Sequence, residues 1–336
     1  MKRYFSIILL LLLITSCSNT KQYEKLNTPD SLPAYQLIKD WPHLPQDYNL
    51  GNPTGIGLDS AQHIFVFHRA GRTWPLIAPM PGSLIPDNTI LEIDKDSGKI
   101  INSWGSGLFI MPHGLTVDRN DNVWVTDVGL HQVFKFSHEG KLLMKLGEAK
   151  IAGNDKTHFN RPTDVAVAAD GSFYVSDGYN NSRIIKFSST GQYLFEWGKR
   201  GNAPGEFNIP HNLDLDDKGN VYVADRENSR VQAFDANGKF IKEWKKEGSG
   251  KIYSVVIDNN HRQLITIDYR STVMVPEGSD VLIFDSTGTT VAQFGRTGLY
   301  DGPVCRYHDV AIDKDGNIYT VDILDNKIQK FKKMIH

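Results

Sequence analysis

The chain has 336 residues, with 37 Lys and Arg against 39 Asp and Glu and a formal net charge of -2. That balance excludes a protein that grips nucleic acid through a basic face. With 40 % apolar and 23 % charged residues the composition is that of an ordinary globular protein, and all-β folds reach this length as one domain.

At the N-terminus, Lys2 and Arg3 precede an apolar run, Ile7 to Ile14, that is too short for a transmembrane helix. Ile14-Thr15-Ser16-Cys17 follows. Basic residues, an apolar run, small residues and then cysteine resemble a bacterial lipoprotein signal; the alternative is an ordinary signal peptide with an incidental cysteine. Residues 1–17 are expected to be the signal, Cys17 the lipid anchor, 18–33 a polar tether and 34–336 the folded domain. Such a protein is exported and held on the periplasmic or cell-surface face of a bacterial envelope. The only other cysteine is Cys305, so no intramolecular disulfide is expected to staple the fold.

Internal repeats follow. A Pro-X-small start leads into a β-branched strand, an Asp/Asn/Gly turn and a second strand ending in Asp. Copies begin at Pro53-Thr54-Gly55, Pro112-His113-Gly114, Pro162-Thr163-Asp164 and Pro210-His211-Asn212, with diverged copies at Tyr253-Ser254 and Tyr307-His308-Asp309. Second strands such as Trp124-Val125-Thr126-Asp127 and Tyr222-Val223-Ala224-Asp225 alternate with period two. A third strand follows each, as in Arg183 to Phe187, and a fourth ends near an aromatic residue and glycine, as in Tyr193 to Gly198. Repeats of about 40–50 residues with four strands predict a β-propeller, here six-bladed and all-β. The last repeat stops near Phe331 without a fourth strand, and the segment Tyr35 to Trp41 matches the missing one. The N-terminal strand is therefore expected to close the ring. The Asp-rich stretches 118–121, 216–220 and 313–317 lack the Glu of a calcium loop and are expected to be turns.

The residue after each leading position is Thr54, His113, Thr163, His211, Tyr253 and His308. Histidine falls on alternate blades, and in a six-bladed ring alternate blades are related by a pseudo-threefold axis. Inner strands line the channel, so His113, His211 and His308 are expected to converge on one metal ion. Three imidazoles with an open fourth position is the arrangement of a catalytic zinc site, although imidazole also suits copper, nickel or iron. His43, His63, His138, His158, His261 and His336 are assigned to surface or packing roles.

The residues from about Gly51 to Phe331 resemble the peptidyl-α-hydroxyglycine α-amidating lyases, which are built from NHL-type repeats. The likeness rests on Phe67-His68-Arg69, Pro112-His113-Gly114-Leu115, Thr126-Asp127-Val128, Leu130-His131-Gln132-Val133-Phe134-Lys135 and His158-Phe159. It continues in Arg161-Pro162-Thr163-Asp164-Val165, Ser176-Asp177-Gly178-Tyr179, Pro210-His211, Ala224-Asp225-Arg226-Glu227-Asn228 and His308-Asp309. That resemblance implies cleavage of a peptidyl- or N-acyl-α-hydroxyglycine to an amide and glyoxylate, with zinc on His113, His211 and His308. It also implies a structural calcium on Asp309 and the carbonyls of Ile56 and Leu115, and active-site roles for Arg69, Arg226 and Tyr179. A guanidinium suits the substrate carboxylate, and Tyr179 suits a general base if cations lower its pKa.

Departures from the family are expected to matter. Its disulfide positions match Asn160 with Asn180 and Tyr222 with Ala233, and Arg306-Tyr307 stands where the family has Met-Pro. The insertion from Ala70 to Pro86, with Trp74, reads as a rim loop. No copper-dependent hydroxylase domain is expected beside the lyase-like segment. A monomer acting on a peptide or small molecule is expected. The competing readings are a metal-dependent hydrolase or lactonase on the same fold, and a non-catalytic anchored propeller binding a protein or glycan.

Overall fold

Six antiparallel sheets succeed one another along the chain in the computed structural model, which describes residues 35–75, 77, 79–272, 275–296 and 304–334. The expected signal, Cys17 and tether lie outside the described residues. The inner strands are Pro53–Leu58, Pro112–Val117, Asp164–Val167, Pro210–Leu215, Lys251–Asp258 and Tyr307–Ile312. In that order they define blades 1 to 6. Each pairs with a second strand, and in every blade but the fifth that strand is almost wholly buried, as in Val123–Asp127 or Phe173–Asp177. Those strands read as β-branched and aromatic because both faces meet a neighbouring blade. Outer strands such as Tyr193–Trp197 alternate between half-buried and exposed residues, having one covered face.

The apolar core lies between blades. Trp124 and Val133 of blade 2 pack on Val165, Phe173, Val175 and Ile185 of blade 3, and Ala166, Tyr174 and Ile184 pack on Leu213, Val221 and Val223 of blade 4. Ring closure is as expected. Tyr35–Leu37 pairs antiparallel with Lys327–Lys333, Leu37 opposite Phe331, and completes blade 6. The strand is shorter than the Tyr35-to-Trp41 match suggests. The chain turns at Asp40 (φ 59°), and Trp41 leaves the sheet to bury its ring against Tyr319.

The Asp-rich stretches are turns. Asp118, Asp216 and Asp313 each accept backbone N–H groups two and four residues on. Their second oxygens accept Trp124 Nε1 at 2.8 Å, Tyr222 OH at 3.1 Å and Tyr319 OH at 3.0 Å. Local donors thus take up these carboxylates. Where the family has disulfides, Asn180 donates to Asn160 at 2.9 Å, and Tyr222 lies opposite Ala233 in adjacent strands.

Blade 5 departs from the repeat. Its second strand, Gln263–Thr272, runs on past Asp268 and pairs with an extra strand, Val275–Gly278.

The second strands of blades 2, 3, 4 and 6 end in Asp, and that Asp binds the blade's end together. Asp225, fully buried, accepts Asn208 N at 2.7 Å, Asn228 Nδ2 at 2.8 Å and Arg230 Nε at 2.8 Å. Asp225→Ala leaves these buried donors without their acceptor. The expected loss is about 3–5 kcal/mol of stability, the range for breaking a buried pair from one side, read as a shift of the urea unfolding curve with the slope unchanged.

Candidate active site and metal centre

Register places the six repeat positions at one level of the channel. Pro112, Pro210, Ile252 and Tyr307 pair with Asp127, Asp225, Asp268 and Asp322, so His113, His211, Tyr253 and His308 follow at equivalent points. The three imidazole centroids form a nearly equilateral triangle with sides of 4.7, 4.7 and 4.8 Å. One ring nitrogen from each lies within 4.8 Å of the others.

The intervening blades orient these rings. His113 Nδ1 contacts Thr163 O, His211 Nδ1 contacts Tyr253 O and His308 Nδ1 contacts Thr54 O, each at 2.7 Å. Thr163, Tyr253 and Thr54 occupy the same repeat position on blades 3, 5 and 1, so histidine and carbonyl alternate around the ring. A carbonyl only accepts, so Nδ1 carries the hydrogen and Nε2 turns a lone pair to the axis. Gly114 permits the approach: a Cβ there would lie 2.4 Å from Thr163 O. Burial is the main cause holding all three imidazoles well below their usual pKa, with Arg69 and Arg226 adding to it at His113 and Arg69 and Arg306 at His308. Three neutral, oriented nitrogen donors fit a divalent ion of the zinc class with a fourth position free.

Tyr179, Arg69 and Arg226 stand just beyond the second strands of blades 3, 1 and 4, and the fold brings them to the same end of the channel. Tyr179 OH lies 3.0 Å from His113 Nε2, 3.3 Å from His211 Nε2 and 3.5 Å from Arg226 Nη1. Burial pushes the Tyr179 phenol above its usual pKa, while Arg226 and Arg69 pull it back. The cations expected to lower it are present, but among the chain's own groups burial prevails. Arg69, 2 % exposed, donates from Nε to Pro112 O at 3.0 Å, and its Nη2 has no hydrogen-bond partner among the described residues. Burial lowers its pKa to about 10, so it stays charged.

Three further residues complete the wall. Trp74, from the insertion after Ala70, packs at a tilt on Tyr179, ring centroids 5.0 Å apart, and lies 5.4 Å from the Arg69 guanidinium. Tyr253 sits 5.0 Å from His211 and under Arg226 at 5.1 Å. Arg306 donates to Tyr253 OH at 2.7 Å and packs on Tyr269, and its buried Nε also lacks a partner among the described residues. Tyr253 shares the repeat position of the histidines, the one signal in the sequence that could have marked it as a site residue.

Below the histidines, Ile56, Leu115 and Asp309 line one stretch of channel with Asn212 and Asp214. Asp309 Oδ2 accepts Ile56 N at 2.9 Å, and Oδ1 accepts Ser254 Oγ at 2.6 Å. Burial pushes Asp309 up to about 7, Asp214 up to about 6 and Asp164 well up. Asp164 Oδ1 has no hydrogen-bond partner among the described residues. Two buried carboxylates, Asp164 with an orphaned oxygen and Asp309, beside the half-buried Asp214, fit a hard cation with oxygen ligands. Asp164 and Asp214 join this group only through the fold.

Comparison with known proteins agrees with this architecture. Residues 150–247 match a family described as "6-bladed beta-propeller" and residues 109–136 one described as "NHL repeat". The chain is 34 % identical over 350 residues to peptidyl-alpha-hydroxyglycine alpha-amidating lyase 1 of Drosophila melanogaster, covering 89 % of this chain and 60 % of that one. This chain is a homologue of the peptidyl-α-hydroxyglycine α-amidating lyases. It is also 42 % identical over 203 residues to peptidyl-glycine alpha-amidating monooxygenase B of Xenopus laevis, covering 56 % of this chain and 23 % of that protein. The lyase homologue thus spans less than two thirds of the length of either relative. A gluconolactonase from Xanthomonas campestris superposes with a TM-score of 0.60 at 13 % identity, covering 91 % of this chain and 96 % of that one. That likeness is one of fold.

Proposed function

We propose that this lyase homologue cleaves a peptidyl- or N-acyl-α-hydroxyglycine into an amide and glyoxylate, with zinc on His113, His211 and His308 and calcium near Asp309. The observation that carries the reading is the grouping of Tyr179, Arg69 and Arg226 around three Nε2 donors, with a buried guanidinium N–H of Arg69 lacking an acceptor among the described residues. An anion is what such a donor calls for, because an unmet buried N–H costs about 1–3 kcal/mol, and more when charged.

Arg69 and Arg226 receive the substrate carboxylate and hold the hydroxyl-bearing carbon over the histidines. Trp74 and Tyr253 flank that position and exclude water. Tyr179, as phenolate, takes the hydroxyl proton. As the C=O of glyoxylate forms from that oxygen, the C–N bond breaks, its electron pair moves to nitrogen, and the nitrogen takes up a proton to give the amide. A divalent ion at the three Nε2 atoms supplies Lewis acidity that makes the hydroxyl easier to deprotonate. In the same reading the protein is held on an envelope face, anchored through Cys17.

Glyoxylate release from an N-acyl-α-hydroxyglycine by the purified protein, with and without chelator and added zinc, tests this reading. Release that stops with the chelator and returns with zinc is expected. No release from protein shown to hold zinc would reject the substrate class.

A further inference from the structure

Two of the histidines assigned to surface or packing roles meet at the far end of blade 1. Asp59 follows its inner strand, His63 directly precedes the next strand, Ile64–His68, after a tight turn, and Glu92 lies in the third strand, Ile90–Ile93. His138 comes from the turn after Gln132–Phe136 in blade 2. One donor atom from each of the four lies within 4.8 Å of the others. Because Asp59 follows Leu58 at the opposite end of the inner strand from Thr54, this cluster and the His113 triad sit at opposite ends of the strands.

The pairwise distances have a regular pattern. His63 Nδ1 lies 3.1 Å from Asp59 Oδ2 and 2.9 Å from Glu92 Oε1. His138 Nε2 lies 3.0 and 3.7 Å from the same two oxygens. A tetrahedral ion with bonds of about 2.0–2.2 Å requires donor separations of about 3.3–3.6 Å; three of these contacts fall short of that range and the fourth lies just beyond it, differences that small side-chain shifts would close. His63 Nδ1 is buried as an atom and has no hydrogen-bond partner among the described residues, despite both close oxygens. It is therefore near both carboxylates but not aligned as a hydrogen-bond donor to either, as a lone pair directed between them would be.

The surroundings favour an ion further. The Asp59 and Glu92 side chains are 2 % and 4 % exposed, and no Lys or Arg pairs with either among the described residues. His138 Nε2 hydrogen-bonds Asp59 Oδ2 at 3.0 Å, so one histidine can offset one of the two adjacent buried carboxylates, and the second still calls for positive charge. The histidine side chains are 31 % and 30 % exposed, which leaves a route from solvent. The cluster is also pre-arranged: Asp59 Oδ1 is held by His63 N at 2.7 Å, and the His138 ring packs edge-on to Phe65 at 5.2 Å.

We infer that Asp59, His63, Glu92 and His138 form a second transition-metal site, an N2O2 set for a divalent ion of the zinc class. With four protein donors the site is closed in the manner of structural zinc, and it ties blade 1 to the outer turn of blade 2. It stands independently of the proposed lyase chemistry.

Counting bound Zn2+ and Co2+ on the purified full-length protein in saturating Ca2+ tests the inference, since calcium keeps the Asp309 channel from registering. H63Q/H138Q is expected to bind one equivalent less than the unaltered protein, release glyoxylate at an unchanged rate, and lose the rise in unfolding temperature that Zn2+ gives. H211A is expected to keep one equivalent of Co2+ with the visible absorption of a tetrahedral ion, and this second variant covers the case in which the first folds poorly. Equal stoichiometry in H63Q/H138Q and the unaltered protein would overturn the site. So would an H211A protein, folded by circular dichroism, that binds no Co2+.

Discussion

His211→Ala is expected to remove the axial transition ion and the glyoxylate-releasing activity together. The His211 ring is one of three equivalent donors, and its Nδ1 is fixed on Tyr253 O at 2.7 Å. Two remaining imidazoles, 4.7 Å apart at their centroids, leave half of a tetrahedral shell open. The rate should fall by at least about 10²–10³-fold, the scale for losing one group that stabilises developing negative charge. The variant should still fold. The change orphans one carbonyl, Tyr253 O, at a cost of about 1–3 kcal/mol, while the blade cores between second strands are untouched. Metal content measured beside activity on the same preparation checks both halves: an active variant with its axial ion retained would refute the assignment of the histidines.

Tyr179→Phe is the second large effect. The substitution keeps the ring that packs on Trp74 and lies 5.3 Å from the Arg226 guanidinium. It removes only the oxygen that reaches His113, His211 and Arg226. If that oxygen takes the substrate's proton, kcat should fall by about 10²–10⁴-fold, the range for general acid–base catalysis. KM should change little, because the proposal gives the carboxylate to Arg69 and Arg226, which the substitution leaves in place. A fall confined to KM, with kcat intact, would make Tyr179 a positioning residue and assign the proton transfer elsewhere. Burial alone raises the phenol's pKa, so its ionisation depends on positive charge gathered around it. The guanidiniums supply part of that charge, and an ion on the histidines would supply the rest.

The blades, the ring closure and the histidine triad are legible in the sequence because each is a periodic quantity. A strand alternates every second residue, and a blade repeats its turn chemistry. A channel-facing position recurs once per repeat, so three histidines on alternate repeats must meet at the axis of a closed ring. The same logic predicts the turns at Asp118, Asp216 and Asp313, whose carboxylates find partners within a few residues. Local and repeated features need no knowledge of distant contacts.

What only the tertiary structure decided is aperiodic. Trp74 reaches Tyr179 from an insertion found in one blade. Arg306 meets Tyr253 and Tyr269 across the join of blades 5 and 6, where the extra hairpin breaks the repeat. His63 and His138 occupy unrelated positions in their repeats, 75 residues apart in the chain, so periodicity assigns them no common role. Their convergence on Asp59 and Glu92 depends on how blade 2's outer turn docks against blade 1. Side-chain packing fixes that docking, and no spacing along the chain encodes it.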